Sequence, residues 1–262
     1  MRPRVRYPPC CALPPVDSAA SPRVFAAVDA RASGTSLFNR LSLDAMQRPG
    51  EVVLNVSAAA QRLWTSTQKL EDVPPQHHAE LCSMINRVLR DDAEDVMPSL
   101  AVLVRGINVL CITRRKPSEL KLPPAMRTFR GGELPMEHVE FYRRRVGQKY
   151  RVPGYLATSF SERVAYGFLY NKFAEGKTPV KWIVEMDPRG RDDPVFQCKQ
   201  VNFVDTNTLG EEEFLFAPYS VFSVLEVRVP ALPSDDDPVV VRLLAAVDNL
   251  KEDEELDLAP WY

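Results

Sequence analysis

Between Ser36 and Arg115 the apolar residues recur at helical spacing. Val53, Val56, Ala60, Leu63 and Trp64 fall on one face of a helix, and Leu81, Met84, Ile85, Val88 and Leu89 on one face of a second, because positions three and four apart lie above one another on a helix. Pro74 and Pro75 separate the two, and Met97-Pro98 precedes a third helical run, SLAVLVRGINVLCITRR, since proline fits badly inside a helical turn. Past Pro123 and Pro124 the texture changes. Short runs rich in β-branched and aromatic residues follow, divided by glycine and proline: MRTFRGG, YLATSF, KWIVEMD, EFLFAP, SVFSVLEVRVP and PVVVRLLAAV. These are read as strands. The last is long enough for a helix, but its consecutive valines favour a strand. One helix interrupts the series, in SERVAYGFLYNKFAEG, with Ser161 and Glu162 as its capping residues and Val164, Phe168 and Tyr170 among its apolar positions. Helices first and strands later is the pattern of an α+β protein.

Domain limits follow from the same pass. Residues 1–35, rich in Pro, Ala and Ser, read as a flexible leader. Residues 36–250 form one domain, helical over 36–122 and β over 123–250, and residues 251–262, KEDEELDLAPWY, read as an acidic, solvated tail. Of the 262 residues 45% are hydrophobic, enough for a sizeable core. With 33 basic and 35 acidic residues the formal charge is −2, which supplies no electrostatic reason to expect nucleic acid or an anionic membrane as the main partner. No apolar run reaches the roughly 20 residues of a membrane-spanning helix, and Leu100–Val104 ends at Arg105.

The cysteines, Cys10, Cys11, Cys82, Cys111 and Cys198, are an odd set without C-x-x-C spacing. They suggest neither a zinc site nor a disulfide framework, and a reducing compartment is expected. The expected location is cytoplasmic. Organelle targeting by Arg2, Arg4 and Arg6 is the lesser alternative, because nearby prolines spoil an amphipathic helix. Neither G-x-G-x-x-G nor G-x-x-x-x-G-K-[ST] occurs, so a Rossmann or P-loop reading has no support.

Three separated stretches carry the candidate chemistry. Phe129-Arg130-Gly131-Gly132 sets an arginine at a strand end before two glycines. A planar guanidinium grips phosphate oxygens bidentately, and glycine lets a ligand approach the backbone; taken alone, such an arginine is more often a surface residue in a turn. In PGYLATSF, Thr158 and Ser159 put hydroxyls among aromatics, where they satisfy their own strand edge or bond a partner inside the fold. In GEEEFLFAP, an extended strand would put Glu211 and Glu213 on one face and Glu212 on the other. Neighbouring carboxylates repel, a cost that makes sense where a cation or developing positive charge is held between them. A solvated turn is the alternative.

Taken in order, strand-Arg-Gly, then Thr-Ser on a strand, then Glu-x-Glu before a strand, the chain resembles the R-S-E class of mono-ADP-ribosyltransferases from about Leu81 to Asn249. The resemblance implies a helical layer packed on two antiparallel β-sheets set roughly at right angles, with NAD in the cleft between them. It implies that Arg130 contacts the NAD phosphates and that Gly131 presents backbone groups to the nicotinamide amide. Thr158 would support its strand, Ser159 would supply hydroxyl chemistry, and Phe168 would pack against the nicotinamide end, ordinary core packing being its other reading. Glu213 becomes the catalytic glutamate. It would hydrogen-bond the 2′-hydroxyl of the nicotinamide ribose and stabilise the oxocarbenium-like charge as the glycosidic bond breaks. Glu211 would hold and help deprotonate the incoming nucleophile, and a glutamate there goes with arginine acceptors.

The implied activity is ADP-ribose transfer from NAD, the co-substrate, to an arginine of a protein acceptor, by a monomer and without a metal. In the loop VNFVDTNTLG, Phe203 and Asn207 are the candidates for acceptor contact. The chain departs from the family's Ser-Thr-Ser by reading Ala157-Thr158-Ser159. That departure motivates two alternatives, NAD hydrolysis on the same fold and a weakly active NAD-binding or protein-binding module. A paired-carboxylate glycosidase fits less well, since it gives Arg130-Gly131 no part and only three tryptophans are present for sugar stacking.

Overall fold

A computed structural model describes residues 64–65, 80–91, 100–101, 103–104, 107, 125–170, 176–186, 202–203, 212–247 and 249–260. The leader at 1–35, Glu211 and Asn207 lie outside the described residues.

Helix α1, Leu81–Asp91, buries Leu81, Ile85, Val88 and Leu89, the stripe its periodicity predicts. Helix α2, Met136–Arg143, enters directly behind Pro135, whose restricted φ suits a helix start. It buries only Val139 and Tyr142, a stripe too short to stand out as a helical pattern in the sequence. Helix α3, Glu162–Leu169, lies where SERVAYGF predicts it, but two details differ. Ser161 stands at the N-cap without a side-chain cap bond; its own N–H donates to Ser159 Oγ at 2.9 Å, so the hydroxyl that steadies the turn comes from Ser159. The buried residues are Ala165 and Leu169, rather than the apolar positions Val164, Phe168 and Tyr170.

The strands are β1 Arg127–Pro135, β2 Lys149–Val152, β3 Leu156–Ser159, β4 Lys177–Glu185, β5 Asn202–Phe203, β6 Glu213–Phe216, β7 Ser220–Arg228 and β8 Val239–Ala245. PVVVRLLAAV is a strand, with burial alternating residue by residue along β8. The protein is α+β. Its strands hydrogen-bond in the order β2-β7-β8-β4-β1-β3-β6-β5. The pairing of β4 with β8 is parallel, which the long stretch of chain between them permits as a crossover. The series has a weak joint. Whereas β1 and β4 pair along their whole length, β1 and β3 share the single registered pair Phe129 and Ser159.

On one face of the larger ladder Val180, Trp182 and Val184 of β4 meet β8 and the α2 residues Val139 and Tyr142 in the main core. By alternation Lys181 faces the other way, toward α3. Its Nζ donates to Tyr166 Oη at 2.8 Å and to Glu162 Oε1 at 3.0 Å. Burial pulls this ammonium down, but Tyr166 and Glu162 outweigh it and the net direction is up from the usual lysine value. Gly131 is the β1 partner of Lys181, so it too lies beneath α3.

The acidic tail is docked, which corrects the expectation of a solvated end. Arg151, only 8% exposed, donates from its guanidinium to the carbonyls of Glu252 at 3.0 Å, Asp253 at 2.7 Å and Tyr219 at 3.0 Å. Its backbone N–H reaches the Asp257 carbonyl at 2.9 Å, and its own carbonyl accepts the N–H of Ala259 at 2.7 Å. Burial lowers the Arg151 pKa, and Glu252, Glu254 and Asp253 oppose that shift. The carboxylates attract the cation while the backbone carbonyls take its hydrogens. Arg151→Met should therefore free the 252–259 segment and cost about 2 to 3 kcal/mol, as hydrogen bonds to a charged group are lost. Thermal melts should read a fall of roughly 5 to 10 °C. An unchanged melting temperature would mean that the strap contributes nothing.

Candidate active site

Register places the candidate residues. In β3 and β6, Ser159 pairs with Glu213, Thr158 with Phe214 and Ala157 with Leu215. Because Phe129 of β1 pairs with Ser159, the residues Phe129, Ser159 and Glu213 form a row across neighbouring strands. Above this row a cleft of about 130 Å³ is lined by Phe129, Arg130, Gly131, Ala157, Thr158, Ser159, Val164, Ala165, Phe168 and Glu213. Arg130, Gly131, Thr158, Ser159, Phe168 and Glu213, picked from three separate stretches of sequence, thus line one cleft. The weak joint between β1 and β3 is where it opens.

Arg130 Nη1 donates to the Ala157 carbonyl at 2.9 Å, tying β1 to β3 beyond their one registered pair. Gly131 is required by packing: a Cβ built there would stand 1.9 Å from the Ala165 carbonyl oxygen. Thr158 Oγ1 donates to the Phe214 carbonyl at 2.7 Å and is buried, a strand-supporting role. Phe168 is 46% exposed at the cleft rim, so it is not the core residue of its alternative reading. Glu213 is half-buried, and its Oε1 accepts the indole N–H of Trp64 at 3.0 Å.

The strand expected in GEEEF is described only from its later part, since Glu211 lies outside the described residues. Glu212 has φ +47°, a left-handed conformation, and β6 begins only at Glu213. A left-handed residue breaks the two-residue period. The Glu212 carbonyl accepts the N–H of Phe160 at 3.1 Å, and its side chain is exposed. Phe203 lies in the two-residue strand β5, paired with Phe214.

No family model matches the chain, and no curated protein matches it in sequence. Solved structures similar to it include the Vis toxin of Vibrio splendidus, at 14% identity and TM-score 0.48, over 88% of this chain and 90% of that one. HopU1 of Pseudomonas syringae pv. Tomato DC3000 matches at 12% identity and TM-score 0.48, over 79% and 82%. Exoenzyme S of Pseudomonas aeruginosa, solved with human 14-3-3 protein beta and carba-NAD, matches at 18% identity and TM-score 0.47, over 88% and 95%. Vis and HopU1 are ADP-ribosyltransferases.

Residues that sequence reasoning did not assign to the site support it from the helical side. Trp64 packs edge-on against Tyr155, with ring centres 4.9 Å apart. Asn86 of α1 clamps the Tyr155 backbone, accepting its N–H at 2.8 Å and donating to its carbonyl at 3.1 Å. The Tyr155 hydroxyl donates to the Val104 carbonyl at 3.1 Å. Nothing in the spacing marks Asn86 or the Trp64 N–H, because each looks like an ordinary helical position until its partner strand is folded against it. Cys82, on the same helix, is pushed up to about 11 by burial, with Glu80 adding to the shift. It stays a thiol at neutral pH, a poor nucleophile.

Proposed function

We propose that the protein transfers ADP-ribose from NAD to an arginine side chain of a protein acceptor, releasing nicotinamide. The observation that carries this reading is the single cleft in which Arg130, Ser159 and Glu213 meet. Its volume of about 130 Å³ is below the roughly 300 Å³ at which pockets begin to enclose a whole drug-sized ligand, so it suits the nicotinamide end of NAD, with the remainder lying outside.

In the reaction the C–N bond between the ribose and nicotinamide breaks, and its electron pair leaves with nicotinamide. Glu213, hydrogen-bonded to the 2′-hydroxyl, stabilises the positive charge that spreads over the ribose ring oxygen and C1′. Arg130 holds a phosphate, and Phe168 packs against the departing ring. A guanidinium nitrogen of the acceptor bonds to C1′ and gives its proton to Glu211. Hydrolysis is the same path with water as nucleophile.

The test is incubation of the full chain with labelled NAD and an arginine-rich acceptor protein, following label transfer and nicotinamide release separately. Glu211→Gln should lower transfer by about a hundredfold, the scale of a lost general base, while nicotinamide release continues. Parallel loss of both would remove Glu211 from the acceptor side. No label transfer and no nicotinamide release by the wild-type chain would sink the proposal.

A further inference from the structure

We infer that Trp64 is the positioning residue for Glu213: its indole N–H, 3.0 Å from Glu213 Oε1, fixes the carboxylate in the cleft and so sets turnover rather than NAD affinity. The inference rests on the function proposed above, and its test separates the two.

Glu213 is the first residue of β6 and follows the left-handed Glu212, so it stands at the very start of the strand. A glutamate there carries several rotatable bonds, while a carboxylate that stabilises charge at a breaking bond must be held in one geometry. Trp64 is suited to hold it. Indole offers one hydrogen and no acceptor, and the ring is 4% exposed.

The ring's seat is itself secured. It lies against Tyr155, whose backbone N–H and carbonyl are both taken by Asn86 and whose hydroxyl reaches the Val104 carbonyl. Tyr155 immediately precedes β3, so one support fixes both the donor to Glu213 and the strand that carries Ser159. Trp64 and Glu213 stand 149 positions apart. The carboxylate is therefore set only once the helical part has packed onto the strands.

The test compares the full-length wild type with Trp64→Phe, which keeps an aromatic ring against Tyr155 and removes the N–H. The expected result is a kcat lower by on the order of a hundredfold, the scale of a misplaced catalytic group, with KM for NAD little changed. A second readout does not need activity. The indole 15N–1H resonance of Trp64, assigned by its disappearance in Trp64→Phe, should shift in Glu213→Gln, because an amide oxygen is a weaker acceptor than a carboxylate. If Trp64→Phe does not fold, all three tryptophan indole resonances are compared between wild type and Glu213→Gln, and the inference requires that one of them moves. Turnover in Trp64→Phe equal to wild type, or an indole resonance unmoved by Glu213→Gln, overturns the inference. Absence of NAD turnover in the wild type overturns the proposed function and this inference with it.

Discussion

Glu213→Gln lowers nicotinamide release and label transfer together, by about a thousandfold or more, on the scale of losing preorganised charge stabilisation at a transition state. The substitution keeps the shape and still accepts a hydrogen bond from Trp64, so the fold is expected to survive. What disappears is the negative charge. The oxocarbenium-like ribose carries its positive charge only while the bond is breaking, so the loss falls on kcat rather than on NAD binding. Chromatographic measurement of nicotinamide, beside a thermal melt, checks both halves. Wild-type turnover in a folded Glu213→Gln protein would remove Glu213 from the reaction.

Gly131→Ala is the second large effect, and it acts through packing. The new Cβ would stand 1.9 Å from the Ala165 carbonyl oxygen, 2.9 Å from its carbon and 3.0 Å from Leu169 Cγ. The first two belong to the backbone of α3, so no rotamer change relieves the clash and the helix must lift from β1. Overpacking of this kind costs about 3 kcal/mol or more when backbone has to move, a fall of roughly 6 to 12 °C in melting temperature. NAD turnover falls with it, because Val164, Ala165 and Phe168 of the displaced helix line the cleft. Gly132→Ala is the internal comparison: its Cβ would meet the Trp182 ring at 3.3 Å, a much milder approach than 1.9 Å and to a side chain rather than to backbone. A Gly131→Ala melt within about 2 °C of wild type would show that α3 moves more freely than close packing allows.

Much of the candidate site was legible because its residues come in short local patterns. FRGG, ATS and the glutamate run are each weak alone and point to one chemistry only in order, through the resemblance they carry together, while the strands that hold them announce themselves by β-branched and aromatic content. Glu213, Arg130, Ser159 and Phe168 could be singled out without knowing that they share a cleft. The reading went too far where it took one residue as extended. The strand reading assumed extended backbone through 212, where Glu212 is left-handed and β6 begins only at Glu213. The expected burial of the α3 face failed for a different reason. Ala165 and Leu169 are less conspicuous than Phe168, yet the missing side chain at Gly131 draws that side of the helix onto the sheet.

The tail shows the same division. A run of acids looks solvated on composition, and its carboxylates are indeed largely exposed, but its backbone carbonyls hold Arg151. Composition reports on side chains and is silent about which main-chain groups find a buried cation.

The sequence by itself determined the helices α1 and α3, the strands β1, β3, β4, β6, β7 and β8, and the residue types of the cleft. Those properties depend on neighbours within one turn or one pleat. Only the tertiary structure decided that β4 and β8 run parallel, that β1 and β3 meet at a single pair, that Arg151 anchors the acidic segment, and that Trp64 holds Glu213. Each is a choice of partner between groups far apart in the chain, 149 positions in the last case, and such choices are made by the packing of whole elements rather than by any local pattern.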